Sequence, residues 1–366
     1  MQAIINKQIR AFVFFLAVLS VTANVYAAKL PGSDINPKEI IFEHIQDAYW
    51  WHITTINEHH ISVYLPVIIY SSSSGWNIFM SSHLEHGHKY MGFYIPGEGR
   101  YAGKIVETAA NGAEIRPVMD ISVTKTALAM LINSAVMLVI FLSVAGWYRR
   151  KPGYSAPGGF VGTMEMFVMS IEDDLIRESI GKDYARYSPY LLTAFFFIFI
   201  NNIMGLIPVF PGGANVTGNI AVTLVLALCT MLAVNLFGNK EYWREILWPD
   251  VPLWMKAPFP LMPLIELFGV ISKPFALTIR LFANITAGHA VILALTCLVF
   301  ITVKMGTAMN VGMTVFSVIL SVFMSFMEIL VAYIQAYVFT MLSAVFIGLS
   351  RQEHEDKRTG KKFKTT

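Results

Sequence analysis

Residues 309–349 read MNVGMTVFSVILSVFMSFMEILVAYIQAYVFTMLSAVFIGL, and Glu328 is the only Asp, Glu, Lys, Arg or His among them. The stretch is about forty residues long, whereas a helix perpendicular to a bilayer needs about twenty apolar residues to cross it. It therefore predicts either an even number of membrane crossings or one long helix that is strongly tilted. Either arrangement requires a membrane rather than water around most of this segment.

Four more apolar segments precede this one along the chain. Met262–Leu298 has a similar length, and the other three are as long as single spans: Ile121–Tyr148, Tyr187–Ile207 and Thr217–Phe237. Hydrophobic residues make up 55% of the sequence and charged residues 14%, against about 25% charged residues in soluble proteins. We therefore expect an all-α polytopic membrane protein rather than a soluble protein with a very large core. Two long, tilted or horizontal C-terminal helices would complete its membrane domain, residues 121–350.

Basic residues mark the cytoplasmic ends of the predicted spans. They are Arg149, Arg150 and Lys151 after the first span, Lys240–Arg244 after the third, and the tail 351–366. Because positively charged loops stay in the cytoplasm, we expect the N-terminus outside and the C-terminus inside. Residues 160–183 mix apolar and charged side chains, which predicts an amphipathic helix at the cytoplasmic interface. The net charge of +3 is too small to indicate nucleic-acid binding.

The first 27 residues have the pattern of a secretory signal peptide. Lys7 and Arg10 precede an apolar core, Ala11–Ala23, and Val25–Ala27 ends the pattern with small residues. A retained first helix is the alternative, although about thirteen residues are few for a membrane span. We predict a signal peptide at 1–27, followed by an extracytoplasmic segment.

That extracytoplasmic segment, residues 28–120, is predicted to be small and β-rich. Apolar and polar residues alternate over His60–Tyr70, a turn cluster follows at Ser71–Gly75, and short apolar runs occupy Trp76–Met80 and Tyr90–Ile95. Three histidines, His83, His86 and His88, are candidate metal ligands. The segment has no cysteine and no four-ligand spacing, so no metal site is predicted.

The chain has two cysteines, Cys229 and Cys297, and both lie in predicted spans. We expect buried thiols at both positions. Two cysteines that lie in separate apolar runs indicate neither a disulfide framework nor a metal site.

Seven polar or ionisable residues interrupt the two long apolar segments. They are Glu266, Lys273, Arg280, Asn284, His289, Glu328 and Gln335. An ionisable side chain at bilayer depth costs about 2.5–3.5 kcal/mol on insertion scales, so these residues require partners, water or a function. The two amides among them have interhelical hydrogen bonding as a structural alternative.

Helical geometry divides these residues between faces. At about 100° per residue, four of them fall within roughly 40° of one another: Glu266, Lys273, Arg280 and Asn284. His289 lies about 180° from Arg280, and Glu328 shares a face of the last helix with Gln335. Small residues surround the arginine and permit close approach of a neighbouring helix; they are Ala276, Ala283, Ala287 and Gly288.

Structural alternatives stay open for three of the charged residues. Lys273, which precedes Pro274, would be an interfacial lysine whose ammonium reaches the headgroups. Glu266 would cap a helix or mark the interface. Arg280 would form a buried structural ion pair with Glu328 as its partner.

Residues 272–289, SKPFALTIRLFANITAGH, resemble the signature of F-type ATP synthase subunit a. The family pattern is roughly S-K-P-x5-R-L-x-x-N-x-x-A-G-[E/H], and every element is present. Two further matches are NIMGLIP at 202–208 and QAYVF at 335–339. The resemblance covers residues 120–350, and the long N-terminal segment is similar to that of a bacterial branch of the family.

By this resemblance, Arg280 is the essential arginine that faces the rotor ring, and Asn284 and Gln335 are polar residues beside it. A rotor carboxyl group crosses lipid in its protonated form, because burial disfavours the charge, and it loses the proton beside a cation. A guanidinium stays charged in proteins. The same residue is therefore expected to block direct leakage of protons between two half-channels.

The remaining roles also follow from the resemblance. His289 and Glu328 match a buried pair that lines the entry half-channel, and their types are exchanged relative to some members, which favours direct contact. Glu266 matches the acidic residue toward the cytoplasmic exit, and Asn202 matches a polar residue of the preceding hairpin. Gly205 stands where other members have an aspartate, so no role is predicted there.

The resemblance implies a proton-translocating stator subunit of the F0 sector in a bacterial inner membrane. Its implied partners are the rotor c-ring, the peripheral stalk subunit b, the rest of the F1F0 complex and membrane lipid. A secondary transporter with a His289–Glu328 relay would show repeated halves, and a membrane enzyme would show a catalytic motif; neither occurs in the sequence. We expect no cofactor, no catalysis by this chain alone, and transport of protons rather than sodium.

Overall fold

The computed structural model describes residues 47–56, 59–97, 99–108, 114–150, 153, 156–207, 211–247 and 261–351. The predicted signal peptide, 1–27, lies outside these ranges, as does the predicted basic tail beyond its first residue. The chain divides into two compact units. One contains residues 1–134 and 204–216, and the other contains residues 135–203 and 217–366.

The described part of the first unit contains short antiparallel strands. They are β1 Trp50–Ile56, β2 His59–Tyr64, β3 Pro66–Ser71, β4 Gly75–Met80, β5 Phe93–Tyr94, β6 Val106–Thr108, β7 Glu114–Ile115 and β8 Met119–Asp120. These strands form three small sheets, ordered β1-β2, β4-β3-β8 and β5-β6-β7. A 3-10 helix, Ser81–Gly87, follows β4.

The strand boundaries agree in part with the prediction. The serine-rich cluster Ser71–Gly75 does join two strands as a hairpin. The alternating stretch His60–Tyr70 contains parts of two strands, because the chain leaves the first sheet at Leu65. Pro66 follows and has no N–H to continue a ladder. Of Tyr90–Ile95, only the two residues of β5 are a strand.

These strands enclose a small hydrophobic core. Its buried members are Tyr49, Val67, Ile69, Phe79, Leu84, Phe93 and Ile105. The Tyr49 hydroxyl donates to Asp120 Oδ2 at 2.7 Å. Burial, and then this hydrogen bond, raise the pKa of Tyr49 far above its usual range. The phenol therefore stays protonated and acts as a fixed hydrogen-bond donor within the unit.

The start of the first helix, α1 (Lys125–Arg150), is fixed by a segment distant in sequence. Asp47 Oδ1 accepts the backbone N–H of Thr126 at 3.0 Å, and the Lys125 N–H donates to the Ala48 carbonyl at 2.8 Å. A carboxylate at a helix N-terminus satisfies free N–H groups and complements the helix dipole. The strands and the first turns of α1 are therefore held together.

The rest of the described chain is mainly helical. The helices are α2 Gly159–Met169, α3 Tyr184–Leu206, α4 Ile220–Leu236, α5 Lys240–Leu247, α6 Leu261–Thr302 and α7 Thr307–Arg351. Four helical stretches are long and apolar enough to cross a membrane: Lys125–Arg150, Gly159–Leu206, Met262–Thr302 and Thr307–Arg351. Helix α4 has 17 residues, about 26 Å at 1.5 Å per residue. The predicted helical, multi-pass architecture is confirmed.

The predicted amphipathic segment at 160–183 is helical. It consists of α2, a π-helical stretch at Ser170–Arg177 and two short turns that lead into α3. Ile171, Leu175 and Ile176 are buried, while most acidic residues of the same segment are exposed. One apolar and one charged face suit a helix to the boundary between membrane and water.

Helices α6 and α7 are the two longest elements and pack against each other. They have 42 and 45 residues, about 63 and 68 Å at 1.5 Å per residue. Each is continuous, so the alternative of several crossings within one segment is wrong. The turn between them, Val303–Met305, ends at Gly306, whose φ of +106° suits only glycine. A helix twice as long as the ~30 Å hydrocarbon core must tilt or extend beyond it.

Helices α3, α4, α6 and α7 pack around a common core. Its fully buried members include Leu191, Phe195, Leu281 and Ile347. Cys297 is buried as predicted, but the prediction was wrong for Cys229, which is exposed. Helix α4 buries only the side that carries Thr223, Ala227, Thr230 and Val234, and Cys229 lies outside it.

The end of α7 is tied to two other segments. Arg351 Nη2 lies 2.7 Å from Asp183 Oδ2, and the Asn239 N–H donates to the Ser350 carbonyl at 3.0 Å. Arg351, predicted as the first residue of the basic tail, is therefore the last residue of α7.

Candidate functional site

Helices α6 and α7 bring the sequence-predicted residues together in pairs. Four contacts follow one another along the antiparallel helices: Lys273 with Phe346, Asn284 with Gln335, His289 with Glu328, and the Leu295 carbonyl with Ser317. The polar pairs lie in the middle of this series. Residues that are about fifty and forty positions apart in sequence thus become neighbours.

His289 and Glu328 are in direct contact, as predicted. His289 Nδ1 lies 3.7 Å from Glu328 Oε1. Glu328 is buried, with 5% of its surface exposed, whereas the His289 side chain is 21% exposed. Neither carboxylate oxygen has a hydrogen bond to a residue in the described part of the chain. A buried acid therefore sits behind a more accessible imidazole.

Gly288 provides the space for this carboxylate. A Cβ atom at position 288 would lie 2.8 Å from Glu328 Oε1 and 3.2 Å from its Cδ. Both distances are shorter than van der Waals contact in a close-packed interior, so a larger residue would displace the acid. Gly288 was predicted to let a neighbouring helix approach closely. In the structure it makes room for the Glu328 carboxylate of α7.

Arg280 has a different environment. Its side chain is exposed, and the described part of the chain contains no recorded hydrogen bond or ion pair for the guanidinium. The alternative of a structural ion pair with Glu328 is wrong, since Glu328 contacts His289 instead. Three small residues around the arginine, Ala276, Ala283 and Ala287, are also exposed. They surround the guanidinium with small, exposed side chains.

Asn284 and Gln335 form a hydrogen bond one helical turn beyond Arg280. Asn284 Nδ2 donates to Gln335 Oε1 at 3.1 Å. Gln335 is buried, with 5% exposure, and Asn284 is exposed. This bond joins α6 to α7, which is the interhelical hydrogen bond that was the structural alternative for these two amides. It also holds the Asn284 amide beside Arg280.

Asn202 of α3 lies against α7. Its Oδ1 accepts the Thr217 hydroxyl at 2.6 Å, and its Nδ2 donates to the Ala332 carbonyl at 3.5 Å. Ala332 lies one helical turn after Glu328. The buried side-chain amide of Asn202 is therefore next to the part of α7 that carries Glu328. Thr217 was not predicted from the sequence, because it lies at the edge of a predicted span and its partner is set by the fold.

A small cavity lies on the N-terminal side of Arg280 along α6. Its volume is about 20 Å³, enough for about one water molecule. Lys273, Asn235, Tyr242 and Thr230 are among the residues that line it, and the surface of its wall is almost entirely apolar. The Lys273 ammonium lies 5.3 Å from the centre of the Phe346 ring, a cation–π distance.

Glu266 lies in the second turn of α6 and is half-buried. The first turn of α6 contains no acidic residue, so the alternative of a helix cap is wrong. The Tyr242 hydroxyl donates to Asn235 Oδ1 at 3.1 Å. Burial raises the pKa of Tyr242, and the Glu266 carboxylate adds to this rise. Glu266 is therefore close enough to act electrostatically on Tyr242, which lines the cavity.

Sequence reasoning missed the polar residues that α4 and α5 supply. Asn235 lies two residues before the end of the predicted span Thr217–Phe237, and Tyr242 lies in a short charged helix, so neither stood out in the middle of an apolar run. Tyr242 carried one weak signal, as an aromatic residue in the predicted cytoplasmic turn. Its position beside Lys273 depends on how α5 packs against α6.

The histidines of the first unit do not cluster into a metal site within the described residues. His83 stacks on Tyr90 with ring centres 4.4 Å apart. Among the residues that the structure describes, no group of three or more His, Cys, Asp or Glu side chains could hold a metal ion. The side chain of His86 is not among those described.

Comparison with known proteins gives two family matches. Residues 127–348 match the family described as ATP synthase A chain, and residues 40–126 match a Domain of unknown function (DUF8433). The first match spans the candidate site residues of α3, α6 and α7, from Asn202 to Gln335. The second spans the described strands.

Several proteins named ATP synthase subunit a are similar to this chain. The protein of Chlorobium phaeobacteroides (strain DSM 266) is 42% identical over 251 residues, 66% of this chain and 69% of that protein. The Chloroherpeton thalassium protein is 39% identical over 249 residues, 66% of this chain and 71% of its own. The Myxococcus xanthus protein is 36% identical over 276 residues, which are 72% of this chain and 85% of that protein.

The family match covers more than half of the chain, and the similar proteins carry one name. The fold agrees, with long apolar helices and polar residues paired between the last two. The chain therefore belongs to the subunit a family of F-type ATP synthases, as a non-catalytic, multi-pass membrane component of the proton-translocating F0 sector.

Proposed function

We propose that Arg280 is the stator residue that faces the rotor c-ring, and that α6 and α7 separate two proton half-channels around it. The observation that carries this proposal is the exposed guanidinium without a recorded partner in the described part of the chain. A charged group at bilayer depth costs about 2.5–3.5 kcal/mol, so it requires an anion from another subunit. A rotor carboxylate that passes the small residues around Arg280 supplies that anion.

Arg280 acts on the rotor carboxyl group through its charge. In lipid the group is protonated, because a low dielectric disfavours the ion, and opposite the guanidinium the ionised form is favoured. The proton leaves on one side of the arginine and another enters from the other side, so each passage advances the ring. Because a guanidinium keeps its charge in proteins, Arg280 also blocks direct passage of protons between the half-channels.

His289 and Glu328 supply the entry half-channel. Their contact lies about 180° around α6 and about 14 Å along it from Arg280, so the two sites are reached from different directions. Histidine changes its charge near neutral pH, and the carboxylate behind it accepts a proton, which makes the pair a relay. Asn202 orients the path from α3 through its bond with Thr217.

Glu266 supplies the exit half-channel on the cytoplasmic side. It lies at the N-terminal end of α6, beyond the cavity that Lys273 and Tyr242 line. Glu266 lies on the same face of α6 as Arg280, about four turns toward the N-terminal end of the helix, so the proposed exit path leads from Arg280 toward that end. The hydrogen-bonded pair of Asn284 and Gln335 keeps the opposite side of the arginine polar and holds α6 against α7.

The orientation and partners belong to the same proposal. The N-terminal side faces outward from a bacterial inner membrane, with a signal peptide at 1–27 and an extracytoplasmic segment at 28–120, and the tail 351–366 is cytoplasmic. Arg149 and Arg150 support this orientation, because they end α1 and basic residues stay in the cytoplasm. Besides the rotor c-ring, the peripheral stalk subunit b is the expected partner.

Disulfide trapping tests whether the face of Arg280 meets the rotor. In a chain with Cys229 and Cys297 replaced by serine, Ala283→Cys is paired with a cysteine one turn from the rotor carboxylate. The matched control is Phe275→Cys, which is also exposed but lies about 140° around α6 from Arg280. Oxidation is expected to link the rotor to position 283 and not to position 275. The reverse pattern would contradict the proposal.

A further inference from the structure

The sheet β4-β3-β8 of the first unit has an apolar outer face. Side chains of paired residues point to the same side of an antiparallel sheet, and the pairs are Pro66 with Met80, Ile68 with Ile78, Tyr70 with Trp76, and Tyr70 with Met119. The Ile121 N–H donates to the Ile68 carbonyl at 2.9 Å, and the Val123 N–H donates to the Pro66 carbonyl at 3.1 Å. The outer face therefore consists of three rows: Pro66, Met80 and Val123; Ile68, Ile78 and Ile121; Tyr70, Trp76 and Met119.

Neither side of this sheet is suited to water. The inner side packs into the core through Val67, Ile69 and Phe79, all buried. An antiparallel sheet with one side in water normally alternates apolar and polar residues, but no residue of the outer face is charged. Ile78 is 71% exposed and Trp76 is 59% exposed. A contiguous exposed apolar patch of this kind marks an interaction site.

The outer face is attached directly to the first membrane helix. Its first row ends at Val123, and α1 begins two residues later at Lys125. The Lys125 N–H bonds to the Ala48 carbonyl at 2.8 Å, and Asp47 accepts the N–H of Thr126. The sheet and the start of α1 are thus joined by several backbone contacts within one compact unit. The patch cannot move far from the membrane that α1 enters.

The chemistry of the face matches the boundary between a bilayer and water. The rings of Tyr70 and Trp76 are in contact, with centres 5.2 Å apart. Tyrosine and tryptophan concentrate where membrane and water meet, because each combines an apolar ring with a polar group.

We propose that the outer face rests on the lipid surface at the N-terminal end of α1 and holds the first unit against the membrane. The occupant of the patch is the headgroup and upper acyl region of the bilayer, not another protein. This docking depends only on the membrane location of α1 and not on the role of Arg280.

Spin labels in the assembled complex test this proposal. With Cys229 and Cys297 replaced by serine, labels are placed at Ile78→Cys and Met80→Cys on the outer face, and at Lys104→Cys as a control. Lys104 is exposed and precedes Ile105, which packs on the inner side of the sheet. The complex is reconstituted in phosphatidylcholine–phosphatidylglycerol nanodiscs, and the accessibility of each label to oxygen and to a water-soluble nickel chelate is measured. Retained ATP-driven proton pumping in vesicles verifies assembly of each variant.

Oxygen concentrates in lipid and the nickel chelate in water. The ratio of oxygen to nickel accessibility is expected to be several-fold higher at positions 78 and 80 than at position 104. Equal, water-like ratios at all three positions would overturn the proposal. Labels at 78 and 80 that are immobile and inaccessible to both reagents would also overturn it, because a protein would then cover the face.

Discussion

Gly288 of helix α6 lies directly against the Glu328 carboxylate of helix α7, with room for a hydrogen atom but not for a methyl group. The close approach places His289 Nδ1 3.7 Å from Glu328 Oε1. It also buries the acid where no described residue donates a hydrogen bond to it. The geometry of the proposed entry half-channel therefore depends on position 288 having no side chain.

Gly288→Ala is expected to lower ATP-driven proton transport by about tenfold, because the added methyl group must displace Glu328. Overpacking costs about 1–3 kcal/mol, and about 1.4 kcal/mol corresponds to a factor of ten in rate. The measurement is the rate of acidification of inverted vesicles. Gly269→Ala is the control in the same helix, since nothing lies within 4 Å of a Cβ atom there. Equal rates for the two variants would contradict the packing argument.

His289 and Glu328 are expected to act as one unit. His289→Ala and Glu328→Gln should each reduce proton transport strongly, and the double variant should be no worse than the poorer single one. Groups in contact are non-additive in this way, whereas distant and independent groups add. The test is a double-mutant cycle on transport rates at constant complex content. Losses that multiply in the double variant would show that the contact has no role in transport.

Thr217→Val is expected to destabilise the complex, because it leaves Asn202 Oδ1 buried without the donor that now lies 2.6 Å away. An unsatisfied buried acceptor costs about 1–3 kcal/mol. Thr217→Ser keeps the hydroxyl and serves as the matched control. Thermal unfolding of the detergent-solubilised complex should give a lower midpoint for valine than for serine. Equal unfolding midpoints for the two variants would show that the hydrogen bond between Thr217 and Asn202 does not stabilise the complex.

Transport is expected to be of protons rather than sodium. A histidine beside a carboxylate relays protons, whereas sodium, as a hard cation, would want several converging oxygen ligands. The measurement is ATP-driven acidification of inverted vesicles with and without added sodium. Strict dependence on sodium, together with transport that a protonophore does not affect, would contradict the proton assignment.

The long helices could be predicted from the apolar runs of the sequence, and the contact between His289 and Glu328 from its resemblance to the family. Polar groups inside an apolar run stand out, because each carries a cost that only a partner or a function offsets. Helical periodicity then separates Arg280 from His289 on opposite faces. The same reasoning left the Arg280–Glu328 pair open, and only the packing of α7 against α6 excluded it.

Other features could not be predicted because their meaning depends on distant partners. Tyr242 and Asn235 lie at the polar ends of α5 and α4, where a polar residue is unremarkable until the helices pack around Lys273. The alternation of apolar and polar residues over His60–Tyr70 gives no sign of a break between two strands. The break at Leu65 arises because the next strand pairs with β4 and β8 rather than with β1.

The Arg280→Ala variant of the assembled complex tests the central claim most directly. Inverted vesicles are assayed for ATP-driven acidification and, after removal of the F1 sector, for passive proton flux. Arg177→Ala removes an exposed arginine from the helical segment before α3 and is the control. The account predicts that Arg280→Ala abolishes pumping but retains passive flux, because the charge that drives the rotor and separates the half-channels is gone. Full pumping by Arg280→Ala, equal to that of Arg177→Ala, would contradict it.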